Sequence, residues 1–328
     1  MINKGDFRFN IGAIYNYNRN KLDELPNADQ YLYSSYWGSS SLVPTNDYMF
    51  VEGKAIGLVR GFVSEGFYTV NDFRYENGQY ILKEGIPDIT KALTATYMHP
   101  FNIPNGQTAF PGAAKFRDVN NSGTVDLDDA TCLGEVMPRH TGSFQLNFNY
   151  KNFDLSSNFN WTAGGKVYNV AAMINASGQE FDGIGAQRTS WVADTYKVYN
   201  VNSSGDLYAV TDPNELNALN ANAKYHLPYH QSGITSSEWL EDGSYLRLQT
   251  LTLGYTLPHT VLNKIHIEKL RIYLTATNLF TITGYSGIDP EVNATPTGQS
   301  GFYSNLRVFP TLNTVSYTHL RAHETLAN

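Results

Sequence analysis

The sequence predicts an all-β protein, part of a large antiparallel transmembrane β-barrel with long loops, and three observations carry that expectation. Runs of about ten residues alternate apolar and polar side chains, the length a tilted strand needs to cross a bilayer. The connections between the runs alternate between very short and very long. Charged residues are only 16% of the 328, whereas aromatics reach 13%, with 23 Tyr and 17 Phe.

The first run spans residues 5–18. Phe7, Phe9, Ile11, Ala13, Tyr15 and Tyr17 share one face, and Asp6, Arg8, Asn10, Gly12, Asn16 and Asn18 the other, with Ile14 as the exception. Such period-two alternation predicts a half-exposed strand. A pair of runs follows at 143–162. Phe144, Leu146, Phe148 and Tyr150 lie together, Lys151-Asn152 makes a tight turn, and Phe153, Leu155, Phe159 and Trp161 continue the apolar face. Asp154, Ser156, Asn158 and Asn160 oppose them, as expected of a wet lumen or of a solvated sandwich face. In the third pair the phase slips between Leu246, Leu248 and the series Leu251, Leu253, Tyr255, Leu257, which predicts a β-bulge near Gln249-Thr250. Its return strand groups Ile272, Leu274, Ala276 and Phe280.

Lys151-Asn152 and residues 258–269 are brief connections, whereas 19–142, 163–243 and 281–306 are long and rich in Gly, Asn, Ser, Pro and Tyr. Bacterial barrels show this asymmetry, with short periplasmic turns and longer extracellular loops. Compact soluble domains rarely carry structureless loops of such length. Five strands and a possible sixth cannot close a barrel, whose smallest form has about eight. Large plugged transporters have about 22, so the expectation is a piece of a larger wall. Met1-Ile-Asn-Lys-Gly-Asp leads straight into a strand pattern with no signal peptide, which fits a chain that starts within a longer gene.

A formal charge of −7 offers no basic field for nucleic acid. A mean hydropathy of −0.35 suits a protein with lipid-facing and wet surfaces, and equally a secreted β-sandwich. No run of about 18 apolar residues forms a transmembrane helix, which leaves a strand-built barrel open. Cys132 is alone and forms no internal disulfide. Catalytic motifs are missing: there is no Gly-x-Ser-x-Gly, Walker loop, dinucleotide fingerprint or Cys-x-x-Cys. His319 and His323 stand at i, i+4, but Glu324 follows them instead of lying between them as a zincin requires. Glu238, Glu241 and Asp242 give no carboxylate pair at a defined distance, so no catalytic residue is nominated. Trp37, Trp161, Trp191 and Trp239 are candidates for sugar stacking, interfacial anchoring or loop packing, and Trp161 suits an aromatic girdle.

One stretch has metal-ligand spacing. Asp118, Asn120 and Ser122 fall at positions 1, 3 and 5 of an EF-hand-like loop, with Gly123 at the sharp turn. Thr124 would offer its carbonyl, and Asp126 and Asp129 fill positions 9 and 12. Ca²⁺ takes six to eight oxygens, and alternate residues on a tight loop aim theirs inward. Ser122 in place of an acid, and Asp129 in place of the bidentate Glu, both weaken the match; an Asx-rich turn without metal is the alternative. A structural Ca²⁺ is the expectation.

Five stretches together carry a family resemblance. They are Gly5-Asp-Phe-Arg-Phe with Tyr17-Asn-Arg-Asn-Lys21; Glu52-Gly-Lys-Ala-Ile-Gly57 with Glu65-Gly-Phe-Tyr68; and Phe116-Arg-Asp-Val-Asn-Asn-Ser-Gly-Thr-Val-Asp126. The hairpin at 242–280, from Asp242-Gly-Ser-Tyr-Leu-Arg to Arg271-Ile-Tyr-Leu-Thr-Ala-Thr-Asn-Leu-Phe280, and Tyr285-Ser-Gly-Ile-Asp-Pro-Glu-Val-Asn293 complete the set. Over about residues 1–313 the chain resembles the SusC/RagA family of TonB-dependent outer-membrane transporters. The resemblance implies the C-terminal part of the barrel, residues 1–314, with the plug domain upstream and absent. It implies import of a glycan or peptide across the outer membrane of Bacteroidota, a SusD-like surface lipoprotein as lid, and TonB acting through the missing N-terminal region. Outer-membrane lipid would surround the wall, and no enzyme activity is implied. The family's last strand ends in an aromatic residue, whereas here the pattern breaks after Pro310. Residues 315–328 lose the strand pattern and are set aside as a non-native tail. The alternative of another class is a secreted, calcium-stabilised, carbohydrate-binding β-sandwich.

Overall fold

In a computed structural model the chain is described at residues 2–25, 29–34, 43–93, 99–169, 172–173, 193–227, 234–263, 267–287 and 289–291. The tail at 315–328, with His319, His323 and Glu324, lies outside the described residues, as do Trp37 and Trp191.

The alternating runs form one antiparallel sheet of six strands: β1 (Ile2–Lys4), β2 (Phe7–Tyr17), β3 (His140–Tyr150), β4 (Phe153–Ala163), β5 (Tyr245–Thr256) and β6 (Arg271–Thr283), hydrogen-bonded in chain order. Residues 2–4 turn back on the first run through Gly5, whose φ of 59° suits the left-handed region that glycine enters without a Cβ clash. The tight turn at Lys151-Asn152 is present, with Lys151 at φ 51°.

Register aligns the side chains into rows. Phe9, Phe148, Leu155, Leu253 and Leu274 are cross-strand neighbours, and so are Tyr15, Gly142, Trp161, Leu246 and Ile282. The aromatic pairs stack: Phe9 and Phe148 at 4.4 Å, Phe144 and Phe159 at 4.5 Å. Each such pair adds about 0.2–1 kcal/mol. The β4–β5 ladder skips Gln249, the bulge that the phase slip predicts, so Leu246 and Leu248 rejoin the face of Leu251 and Leu253. Opposite it, β6 places Asn278 and Leu279 against that one residue, with Asn278 at φ 50°. Ile14 sits on the polar face and is exposed there.

The apolar face has no covering layer among the described residues. Ile11, Tyr15, Leu274 and Ile282 are 55%, 59%, 51% and 62% exposed. In water a contiguous face of this kind is an interaction surface.

The long connections differ from the expectation of extended loops. The described residues of segments 43–130 and 193–236 fold together around a shared core that includes Phe62, Tyr68, Tyr80, Phe116, Tyr196, Val210 and Leu216. Phe62, Tyr68, Val210 and Leu216 have no exposed area, and each large side chain buried this way contributes about 1.5–3 kcal/mol. Small sheets frame the core. The largest joins Gln30–Tyr33, Tyr48–Val51, Leu58–Gly61 and Thr131–Glu135. The buried Tyr68 and Tyr80 hydroxyls donate to the carbonyls of Pro87 and Thr211 at 2.7 and 2.8 Å. The two segments also share backbone bonds, Phe62 N to Thr235 O and Leu227 N to Gly112 O, both at 2.8 Å. Gly112 allows this contact, since a Cβ there would lie 2.4 Å from the Tyr196 ring.

All the long insertions leave from one end of the sheet, where Tyr17, His140, Ala163, Tyr245 and Thr283 stand. The opposite end carries Gly5-Asp6, Lys151-Asn152 and the connection 257–270 with its short helix His259–Leu262.

Candidate functional site

Apart from Ile14, the face opposite the apolar rows is mainly polar. Asn10, Asn147, Ser156, Thr252 and Thr275 form one row; Gly12, Gln145, Asn158, Thr250 and Thr277 form the next. Side chains bond laterally: Ser156 Oγ donates to Asn147 Oδ1 at 2.8 Å, and the Thr252 and Thr275 hydroxyls meet at 3.0 Å. Arg271 forks onto Asp154 at 3.0 and 2.5 Å, and Gly254 leaves room for the pair because a Cβ there would lie 2.5 Å from both partners.

Toward the insertion end this face becomes charged. Arg247 of β5, 7% exposed, reaches Asp289 at 2.6 Å and also binds Glu291, while its Nε donates to Thr281 Oγ1 at 3.0 Å. Glu241 accepts from Ser286 N at 2.6 Å, Ser286 Oγ at 2.7 Å and Asn169 Nδ2 at 2.8 Å. Asp242 accepts from Ser244 N at 2.7 Å. Glu241 and Asp242 thus accept from the backbone N–H groups of Ser286 and Ser244. Glu238 faces His226, with Oε2 3.7 Å from Nε2. Burial pushes the Glu238 carboxyl up to about 7 and the His226 imidazole down to about 4. Sequence reasoning passed over His226, since nothing local marks it; the pairing arises only where the 193–227 and 234–239 segments meet.

Trp161 lies on the apolar face beside Tyr15, ring centroids 6.1 Å apart, and Tyr15 OH meets His140 Nδ1 at 2.8 Å. Trp239 is buried against Ala172, Met173 and Tyr225, so it packs the insertions. Cys132 is exposed and lines a cleft of about 650 Å³ with Lys54, Glu135, Lys166 and Asp242.

The loop Asp118–Asp129 is sharply turned. Gly123 is at φ 87°, and Asp118 accepts from Ser122 N at 3.1 Å and Gly123 N at 2.7 Å. Asn120 Oδ1 also accepts from Ser122 N, and Ser122 Oγ donates to the Thr124 carbonyl at 2.9 Å. Thr124–Val125 pairs in parallel with Asp88–Ile89, which anchors the loop to the core. Asp126 caps the 3₁₀ turn Leu127–Asp129. Asp129 has no exposed area, and its carboxylate accepts from Val119, Asn120 and Asp126 N–H groups. Its shorter side chain therefore closes the loop from inside. Among the described residues no three His, Cys, Asp or Glu side chains gather as a metal-holding group, so a cation here would also rest on Asn120, Ser122 and Thr124 oxygens.

Comparison with known proteins agrees with this geometry. No protein-family model matches the chain. It is 26% identical over 292 residues to TonB-dependent receptor P3 of Formosa agariphila, covering 89% of this chain and 24% of that protein. It is 29% identical over 181 residues to TonB-dependent receptor P26 of the same organism, covering 55% and 16%. The chain thus spans about a quarter or less of the curated relatives it matches. A solved structure of the RagAB peptide transporter superposes with a TM-score of 0.55 at 19% identity, over 88% of this chain and 25% of that one. The RagAB peptide importer in its closed-closed state gives 0.52 at 21%, over 89% and 26%. The resemblance read first from the five stretches, to TonB-dependent receptors of the SusC/RagA type, is thus met by relatives that bear that receptor name and by RagAB structures that share the fold.

Proposed function

We propose that the chain forms part of the barrel wall and extracellular loops of a TonB-dependent outer-membrane nutrient importer, with no catalytic chemistry of its own. The observation that carries this reading is the two-sidedness of the sheet: a mainly apolar, largely exposed face backs a mainly polar one across β2–β6. A bilayer outside and a wet lumen inside satisfy both faces at once. A soluble sandwich would bury the apolar rows against a second sheet. Both edges of the six-stranded sheet would then pair with further strands, since an open edge is not stable in lipid.

The compact insertion body would face the cell exterior and contact both the cargo and a SusD-like surface lipoprotein, with TonB acting on a region outside this chain. The RagAB relatives are peptide transporters, which favours a peptide cargo; a glycan is the other candidate. In the same reading the 118–129 loop holds a structural Ca²⁺ through Asp118, Asn120, Ser122, Asp126, the Thr124 carbonyl and the remaining lone pair of Asp129 Oδ2, supported by its turned geometry.

The membrane reading is tested with single tryptophans at Leu274 and Thr275, neighbours on opposite faces of β6, in the protein reconstituted into vesicles of brominated phospholipid. Quenching at position 274 and little at 275 is expected. Equal quenching, or none at either, overturns the wall assignment.

A further inference from the structure

Where the insertions meet the end of β4, a cleft of about 650 Å³ opens, within the range of roughly 300–1,000 Å³ typical of small-ligand sites. Val51 and the buried Leu58 supply apolar lining. Backbone contacts fix its sides. Lys166–Tyr168 pairs with Leu240–Asp242, and Gly164 N donates to Ser244 Oγ at 2.9 Å. Gly165, at φ 82°, packs where a Cβ would lie 2.9 Å from the Val136 carbonyl oxygen. Gly134 leaves room for the Lys166 stem, whose Cγ would be 3.1 Å from a Cβ there. These contacts hold the cleft in shape without a ligand, so binding demands little further ordering.

Four charged side chains line the cleft: Lys54, Lys166, Glu135 and Asp242. Both carboxylates are already engaged. Glu135 accepts from Arg139 Nε at 3.1 Å and Nη2 at 2.6 Å; Asp242 accepts from Ser244 N and stands opposite Lys166 across the strand pair. Among the described residues, the Lys54 and Lys166 ammonium groups form no ion pair and donate no hydrogen bond. In charge balance Arg139 cancels Glu135 and Asp242 cancels one lysine, which leaves the cleft with one net positive charge. No lining residue is aromatic, so the C–H face of a sugar finds no ring to pack on.

We propose that this cleft binds the carboxylate of a peptide cargo, a C-terminus or an acidic side chain, through the Lys54 and Lys166 ammonium groups. Val51 and Leu58 receive an adjoining apolar side chain. The inference deepens the importer reading and rests on it for the cargo being a peptide. A neutral peptide gains the apolar contact alone, whereas a carboxylate adds charge-assisted bonds.

The test uses Cys132, the exposed thiol in the cleft, as reporter. Its labelling by a maleimide is followed by mass spectrometry, in protein purified in detergent from outer membranes of cells that express the encoding gene. Three acetylated peptides compete: Leu-Leu-Glu amide carries a side-chain carboxylate, Leu-Leu-Gln acid a terminal one, and Leu-Leu-Gln amide none. At least one of the first two should protect Cys132 at a concentration about tenfold below that of the neutral peptide, and which one does so identifies the source of the carboxylate. Lys54→Gln and Lys166→Gln should each weaken that protection about tenfold. Lys151→Gln, at the opposite end of the sheet, should leave it unchanged. Each variant without peptide is its own reference, and its folded band in semi-native electrophoresis reports the fold. Equal protection by all three peptides, protection by none, or protection that survives the double lysine variant overturns the subsite. Protection by an oligouronate and by no peptide overturns it too. Brominated-lipid quenching separates the two ideas. No protection with position 274 quenched removes the subsite and keeps the importer; protection without quenching keeps the subsite and removes the barrel wall.

Discussion

Trp161 fills the space that Gly142 leaves on the neighbouring strand: a Cβ on Gly142 would come within 2.7 Å of the indole and 2.5 Å of the Ile14 carbonyl oxygen. The indole can therefore lie flat across β3 and meet Tyr15. Gly142→Ala is expected to push the indole off the sheet and to cost about 1–3 kcal/mol, the usual range for overpacking. A lower temperature for loss of the folded band in semi-native electrophoresis checks this, and an unchanged transition would show that Trp161 moves aside freely.

The two faces of β2 should respond in opposite ways to one added charge. Ile11 is on the apolar face and Asn10 on the polar one. Ile11→Arg is expected to destabilise the folded protein in lipid by about 2–4 kcal/mol if near the bilayer midplane. Asn10→Arg should change little. Denaturant titration in phospholipid vesicles measures both.

His226 and Glu238 give opposing pH dependences. Glu238 titrates near 7 in the fold and near 4.5 unfolded, so between those values the folded state holds the extra proton and stability falls as pH rises. His226 titrates near 4 in the fold and near 6.5 unfolded, so there the unfolded state holds the extra proton and stability rises with pH. The two slopes largely cancel from about 4.5 to 6.5. His226→Gln should expose a fall in the melting temperature of the insertion body from pH 4.5 to 7, and Glu238→Gln a rise from pH 4 to 6.5. Melting curves by intrinsic fluorescence across that range decide the matter; a flat profile in both variants would deny that either group titrates as its burial dictates.

The 118–129 loop yields a calorimetric prediction. Ca²⁺ titrated into the purified protein should release or absorb heat with a stoichiometry of one. Asp118→Ala should weaken the affinity at least tenfold, since it removes the proposed carboxylate ligand and the acceptor of the Ser122 and Gly123 N–H groups. Identical isotherms for parent and variant would remove the metal and leave a metal-free Asx turn.

The sheet was legible because period-two patterning is local: between Phe7 and Tyr17 every residue but Ile14 lies on the face its place in the alternation gives it. The bulge at Gln249 was legible for the same reason, as one extra residue flips the parity of all that follow. Its counterpart on β6 was hidden, because Asn278 and Leu279 come as a pair and leave the parity of Ala276 and Phe280 unchanged. The insertion body was not legible at all. Its core draws single residues such as Phe62, Val125 and Leu216 from distant turns, with no period to expose them. The Arg247 cluster shows a middle case: the stretch ending in Arg247 and the motif containing Asp289 and Glu291 both drew notice through resemblance, whereas nothing local in either showed that they pair.

Because the two long insertions enclose a single core, neither is a free-standing attachment to the sheet. Tyr196 from the second sits against Gly112 of the first, and Tyr80 of the first needs the Thr211 carbonyl of the second. In the proposed importer, novel cargo preferences would be acquired through substitutions at the rim of this body, or by inheriting both insertions together. A graft that transplants one insertion between relatives would leave half a core, and such hybrids should be recovered only when its partner travels with it.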